Sequence, residues 1–121
     1  IQYQLPLLVD SVGTGRMSIE RMVEVTSNAP ARIFGLGQKG CFAPGTDADV
    51  VLVDPDLEWT ITDDDVLSKI GWTPYAGRTL RGKVLRTLIR GEDVYRDGTV
   101  VGAPGFGKQA RPMTRPENDA R

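Results

Sequence analysis

The chain has 121 residues, 40% apolar and 26% charged, the balance of one soluble domain or of a piece of a larger one. Fifteen Lys and Arg against sixteen Asp and Glu leave a net charge of -1, which argues against nucleic-acid binding by phosphate neutralisation. The absence of His removes the commonest general base and zinc ligand, one Cys cannot form an internal disulfide or a thiolate zinc site, and no apolar run of about 18 residues is there to span a bilayer.

The opening Ile1-Gln2-Tyr3-Gln4 has neither Met nor a signal-peptide core, as expected of a chain cut from a longer one. A short helix is predicted from Pro6 to Val12, because Pro suits a first helical turn, with Leu7, Leu8 and Val12 as its buried face and Gly13 and Gly15 ending it. Ser18 is an N-cap, Glu20 complements the helix dipole, and Ile19, Met22, Val23 and Thr26 share a face, so Ser18 to Thr26 reads as an amphipathic helix. Ser27-Asn28-Ala29 is expected to break it. Pro30 then starts a second short helix that Gly35 closes.

Gly35, Gly37, Gly40, Pro44 and Gly45 mark a loop. Asp49 to Asp54 is a β-branched run that reads as a strand buried on both faces. Leu57, Trp59 and Ile61 alternate with polar residues, as in a half-buried strand. Asp63-Asp64-Asp65 suits a helix start, and a helical turn is expected from Asp63 to Lys69. Trp72 to Gly77 is a loop, Leu80 to Arg90 a strand, Gly91-Glu92 a turn and Val94-Tyr95 a short strand. Asp97-Gly98 is a hairpin signal leading into Thr99-Val100-Val101. Beyond Gly102 the composition predicts an extended tail. A sheet this small needs a second layer to cover it, which points to a partner layer outside the chain.

Each cluster with chemical potential has a bland reading that outweighs the functional one. Three consecutive carboxylates at 63–65 cannot all face one cation, so a solvated helix start is favoured over a metal site. Gly37-Gln38-Lys39-Gly40 lacks the spacing of a phosphate loop and reads as a turn. Cys41 has no activating His. Asp47 and Asp49 form a candidate ligand pair, but closing a turn is favoured. Arg78, Arg81, Lys83, Arg86 and Arg90 form a basic stripe that would attract an anion; protection of an edge strand is the commoner use. Trp72 and Tyr75 would stack on a ligand or pack against a neighbouring domain. No nucleophile–base pair of a usual kind can be built, so no catalytic or metal residue is assigned within the chain.

Several phrases in order carry a specific resemblance. Arg16 to Val23 runs into Thr26-Ser27-Asn28-Ala29-Pro30-Ala31-Arg32-Ile33-Phe34-Gly35-Leu36. Lys39-Gly40, Pro44 to Asp54, Gly71 to Val84 and Arg90 to Gly98 follow. Over about residues 3–105 the chain resembles the C-terminal portion of a cyclic amidohydrolase of the dihydroorotase, allantoinase and hydantoinase (dihydropyrimidinase) group. The resemblance implies an α+β fragment. Residues 1–36 would be the terminal helices of a TIM barrel. Residues 37–105 would be the C-terminal half of a small β-sandwich, and 106–121 an extended tail. A TIM barrel needs about 250 residues, so the barrel itself would lie elsewhere.

In such enzymes the metal ligands are His residues, a Lys that is often carbamylated, and an Asp, all expected upstream of Ile1. One or two zinc ions would lower the pKa of a water that attacks the ring amide, and the Asp would carry its proton to the leaving nitrogen. Gln2 and Gln4 would approach the substrate loops without being site residues. The implied partners are the missing N-terminal part, a small cyclic amide and further copies in a homo-oligomer, with neither nucleic acid nor membrane, in the cytoplasm. The chain alone is expected to be inactive. The alternative is a non-catalytic amidohydrolase-like assembly module. A stand-alone small β protein fits least, since one sheet face would stay bare.

Overall fold

A computed structural model describes residues 1–113. Helices occupy the first third and an antiparallel sheet the remainder, in the order α1 (Gln4–Gly13), α2 (Ile19–Val23), a π-helical turn (Glu24–Asn28), α3 (Ala29–Ile33), β1 (Val50–Thr60), a 3₁₀ turn (Asp63–Asp65), β2 (Thr79–Ile89), β3 (Glu92–Arg96) and β4 (Thr99–Val100). The architecture is therefore α+β.

Helix α1 starts two residues before Pro6 and carries a different buried face from the one predicted. Pro6, Val9 and Asp10 are buried, while Leu7, Leu8 and Val12 are half-buried. The reason is the neighbour. Val9 lies over Gly82 of β2, where a Cβ would collide with Val9 Cγ1 and where φ is +104°. Only glycine allows the helix that close.

The Ser18 side chain caps α2 by accepting the Arg21 amide at 3.2 Å. The expected break at Ser27-Asn28-Ala29 does not occur. The helix widens into one π turn and continues into α3 without leaving helical backbone angles. Thr26 Oγ1 donates to the Met22 carbonyl at 2.8 Å within this stretch. The predicted apolar face is only partly covered: Met22 and Thr26 are half-buried, while Ile19 and Val23 are exposed, as are Ile33 and Phe34 of the following segment.

The sheet has the order β1-β2-β3-β4, every neighbour antiparallel. The two strands predicted over 49–62 are one strand with an irregularity between Asp54 and Glu58. There Asp54 Oδ1 accepts the Asp56 and Leu57 amides, so the side chain satisfies two donors where the ladder is interrupted beside Pro55. The expectation that Val50–Val53 is buried on both faces is overturned. Val51 and Leu52, which point to opposite faces, are 41% and 43% exposed, because the described residues cover neither face of β1 there. Asp63–Asp65 is a single 3₁₀ turn and does not extend to Lys69. Its capping box uses Thr62 and Asp65, which places the side chains at the turn rather than ahead of a helix.

The core is small. Ile61 and Leu80 are fully buried, Tyr3 is nearly so, and Leu7, Trp59 and Val66 pack around them. Asp10, buried at the inner face of α1, accepts the Arg81 amide at 3.1 Å and lies 3.6 Å from the Arg78 guanidinium, which fastens the helix to β2.

Candidate functional site

The residues singled out from sequence do not converge on one place. Asp63 Oδ1 accepts the Thr73 amide at 2.9 Å, and Asp65 Oδ2 accepts the Thr62 amide and hydroxyl at 2.9 and 2.7 Å. The Thr62 hydroxyl and amide hold Asp65 below the usual carboxylate range. The Thr62–Asp65 bonds close the 3₁₀ turn, in place of the helix start expected there. No three His, Cys, Asp or Glu side chains among the described residues are placed to hold a metal ion. The residues present do not fit a zinc site.

The basic stripe is dispersed among separate partners. Arg78 reaches Asp10, Arg81 reaches Asp56, and Lys83 lies 5.3 Å from the Trp59 ring centre. Arg86 grips Asp93 with two nitrogens at 2.9 and 2.7 Å, and Arg96 joins the same carboxylate. The Arg86 guanidinium, followed by Arg96, keeps Asp93 below its ordinary range. Edge protection does not explain these cations, because β2 is an inner strand.

Asp47 and Asp49 do act together, through Lys39. The Lys39 ammonium lies 2.8 Å from Asp47 and bonds Asp49 as well. These two bonds raise the Lys39 pKa. Burial pushes Asp49 up, but Lys39 and the Arg90 amide outweigh it and hold the carboxyl below its usual value. Asp49 Oδ1 accepts that amide at 2.9 Å. Beside this group is a cleft of about 380 Å³ lined by Lys39, Asp47, Arg90, Lys108, Arg111 and Met113, among others. It is an ion-paired junction, with no nucleophile or unpaired acid–base couple. Cys41 is exposed in the neighbouring loop.

At the other end of the molecule, Gln2 spans two backbone groups. It donates to the Asp65 carbonyl at 2.6 Å and accepts the Leu67 amide at 3.0 Å. Tyr3 packs edge-on against Tyr75, with ring centres 6.1 Å apart. Its buried hydroxyl has no partner among the described residues. Burial raises its pKa, with Asp65 and Asp63 adding to the effect. Trp72 is exposed. Sequence reasoning did not single out Tyr3, Asp10 or Phe106. Asp10 was legible only as a charge inside an apolar helix, and the other two carried no local signal.

The model of the amidohydrolase family matches residues 1–94. A dihydroorotase from Pyrococcus furiosus is 42% identical over 104 residues, which cover 86% of this chain and 25% of that protein. A D-phenylhydantoinase from Escherichia coli O1:K1 is 44% identical over 113 residues, 92% of this chain and 24% of that protein. Among solved structures, a D-hydantoinase superposes with a TM-score of 0.82 at 34% identity, covering 90% of this chain and 24% of its own. The L-hydantoinase (dihydropyrimidinase) from Arthrobacter aurescens also gives 0.82, at 35% identity, covering 86% of this chain and 24% of its own. The chain spans about a quarter of the length of these relatives.

Proposed function

The chain belongs to the amidohydrolase family, and on that premise we propose that it is the C-terminal part of a metal-dependent hydrolase that opens cyclic amide rings by cleaving a C–N bond. The observation that carries this reading is 42–44% identity to a dihydroorotase and a D-phenylhydantoinase along most of the chain. In this reading residues 1–36 are the last helices of the barrel. Residues 37–105 are half of a composite β-sandwich, and residues 106–121 are its tail, of which 114–121 lie outside the described residues. The bare apolar side chains of β1 and of the α2–α3 segment support it, since both are surfaces patterned for cover by further protein.

The chain then contributes scaffold. No catalytic or metal-binding residue is assigned to it, and one or two zinc ions would be held by the part of the protein that precedes it. The lack of His throughout the 121 residues favours that placement. Homo-oligomer assembly and a cytoplasmic setting belong to the same proposal. Among the described residues, no helix is long and apolar enough to cross a membrane.

The test is ring opening of dihydroorotate, hydantoin, allantoin and dihydrouracil by the longer protein and by residues 1–121 alone, with zinc content measured on both. Turnover and zinc in the longer protein, and neither in the isolated chain, is the expected result. Turnover by the isolated chain overturns the scaffold assignment. A zinc-free, inactive longer protein replaces the hydrolase with the non-catalytic assembly module.

A further inference from the structure

Among the described residues, the helical arm formed by α2, the π turn and α3 packs on α1 and on its own turns, and its backbone comes within 8 Å, Cα to Cα, of no strand. Two irregular connections join its far end to the sheet, and both end at Arg90. The first is the loop after α3, where Lys39 binds Asp47 and Asp49 and Asp49 accepts the Arg90 amide. The second is the C-terminal segment. The Phe106 ring centre lies 4.5 Å from the Arg90 guanidinium, and Arg90 Nη2 donates to the Phe106 carbonyl at 2.7 Å. The segment then runs back to the arm, where the Met113 amide donates to the Gly35 carbonyl at 3.0 Å and Met113 covers Gly37 so closely that a Cβ there would strike its thioether.

Arg90 and Gly91 are the two loop residues between the paired Ile89 and Glu92, and both have positive φ, +51° and +82°, as a tight hairpin of this kind requires. The turn therefore sets the Arg90 backbone, at the modest cost any non-glycine residue bears there, and aims its side chain away from the ladder. Here the backbone amide is bound by Asp49, and the guanidinium is bound by a carbonyl and an aromatic face.

We propose that Arg90 is a latch that fastens residues 106–113 as a strap across residues 35–39, and that the strap sets how the helical arm sits against the sheet. Closed, the latch ties the end of the arm to the β2–β3 turn from two sides. Open, it leaves the arm held by α1 and the 35–49 loop alone. The latch stands on these contacts whatever reaction the longer protein performs. That it would set the pose of a barrel against a second domain rests on the function proposed above.

Hydrogen exchange on the longer protein tests it with Arg90→Gly and Phe106→Ala. Arg90→Gly suits the positive φ and keeps the amide bond to Asp49, but removes the guanidinium. Phe106→Ala leaves Arg90 in place. Both variants are expected to speed exchange of the Met113 amide and of peptides over 35–39 by about tenfold or more, because local opening governs exchange there. Trypsin should cut after Lys108 correspondingly faster, while β2 and β3 peptides keep their protection. Exchange at Met113 and 35–39 within twofold of the parent in both variants overturns the latch. So does equal loss of protection across the sheet, which would mean that arm and sheet open as one unit. Ring-opening activity, assayed separately, reports on the functional reading and not on this one.

Discussion

Glycine is required at position 82 for two independent reasons: its φ of +104° and the closeness of Val9. Gly82→Ala is therefore expected to cost about 1–3 kcal/mol from backbone strain alone, with any displacement of α1 added to it. Urea unfolding followed by circular dichroism measures the loss. Asp93 makes a different kind of contribution. Its folded-state pKa is depressed by Arg86 and Arg96, so its stabilising effect is complete above the range where an unfolded Asp titrates, about 3.9. That effect is lost as the pH falls through the lower folded-state value. Asp93→Asn should leave the melting temperature less sensitive to acid than that of the parent when both are followed from pH 7 to pH 3. An identical acid dependence would show that the Arg86–Asp93–Arg96 group is screened to insignificance.

At the scale of elements, the fold is held where α1 crosses β2. Ile61 and Leu80 are fully buried beneath Tyr3, and Asp10 fixes the helix by accepting the Arg81 amide. Leu80→Ala should cost about 2–5 kcal/mol by the usual cost of a core cavity, read from thermal or urea unfolding. The helical arm shows the opposite condition. Phe34 is 65% exposed, so Phe34→Ala should change the stability of the isolated chain by no more than about 0.5 kcal/mol. In the longer protein the same substitution should cost several times more if the arm is covered there. Equal small effects in both would mean that nothing packs on it.

The whole molecule carries more exposed apolar surface than its small core balances, with Ile1, Ile33, Phe34, Phe42, Ile70 and Trp72 all more than half exposed. Residues 1–121 expressed alone are therefore expected to self-associate, with a sedimentation-velocity profile that shifts to larger species as concentration rises. A concentration-independent monomer would mean that these side chains are tolerated in water. The relatives span about four times the length of this chain. The apolar patterning of β1 and of the arm thus matches surfaces whose cover the described residues do not supply.

Much of the fold was legible in local pattern. Helices before residue 36, a long strand over Leu80–Arg90 and the Asp97-Gly98 hairpin follow from periodicity, caps and turn residues, because those signals act over a few neighbouring positions. The order of phrases such as Asn28 to Leu36 and Pro44 to Asp54 was enough for the family. Tertiary structure decided the rest. An apolar run does not say which of its faces finds a partner, so Val51 and Leu52 were expected inside and are exposed, while Val9, not among the residues expected inside, is the buried apolar residue that α1 sets over Gly82. Asp54 joined two predicted strands into one because its side chain bonds the backbone around Pro55. The meeting of Asp49, Arg90 and Phe106 spans 57 positions of sequence. Only the folding of the chain brings such distant residues within bonding distance, which is why no reading of neighbours along the sequence revealed it.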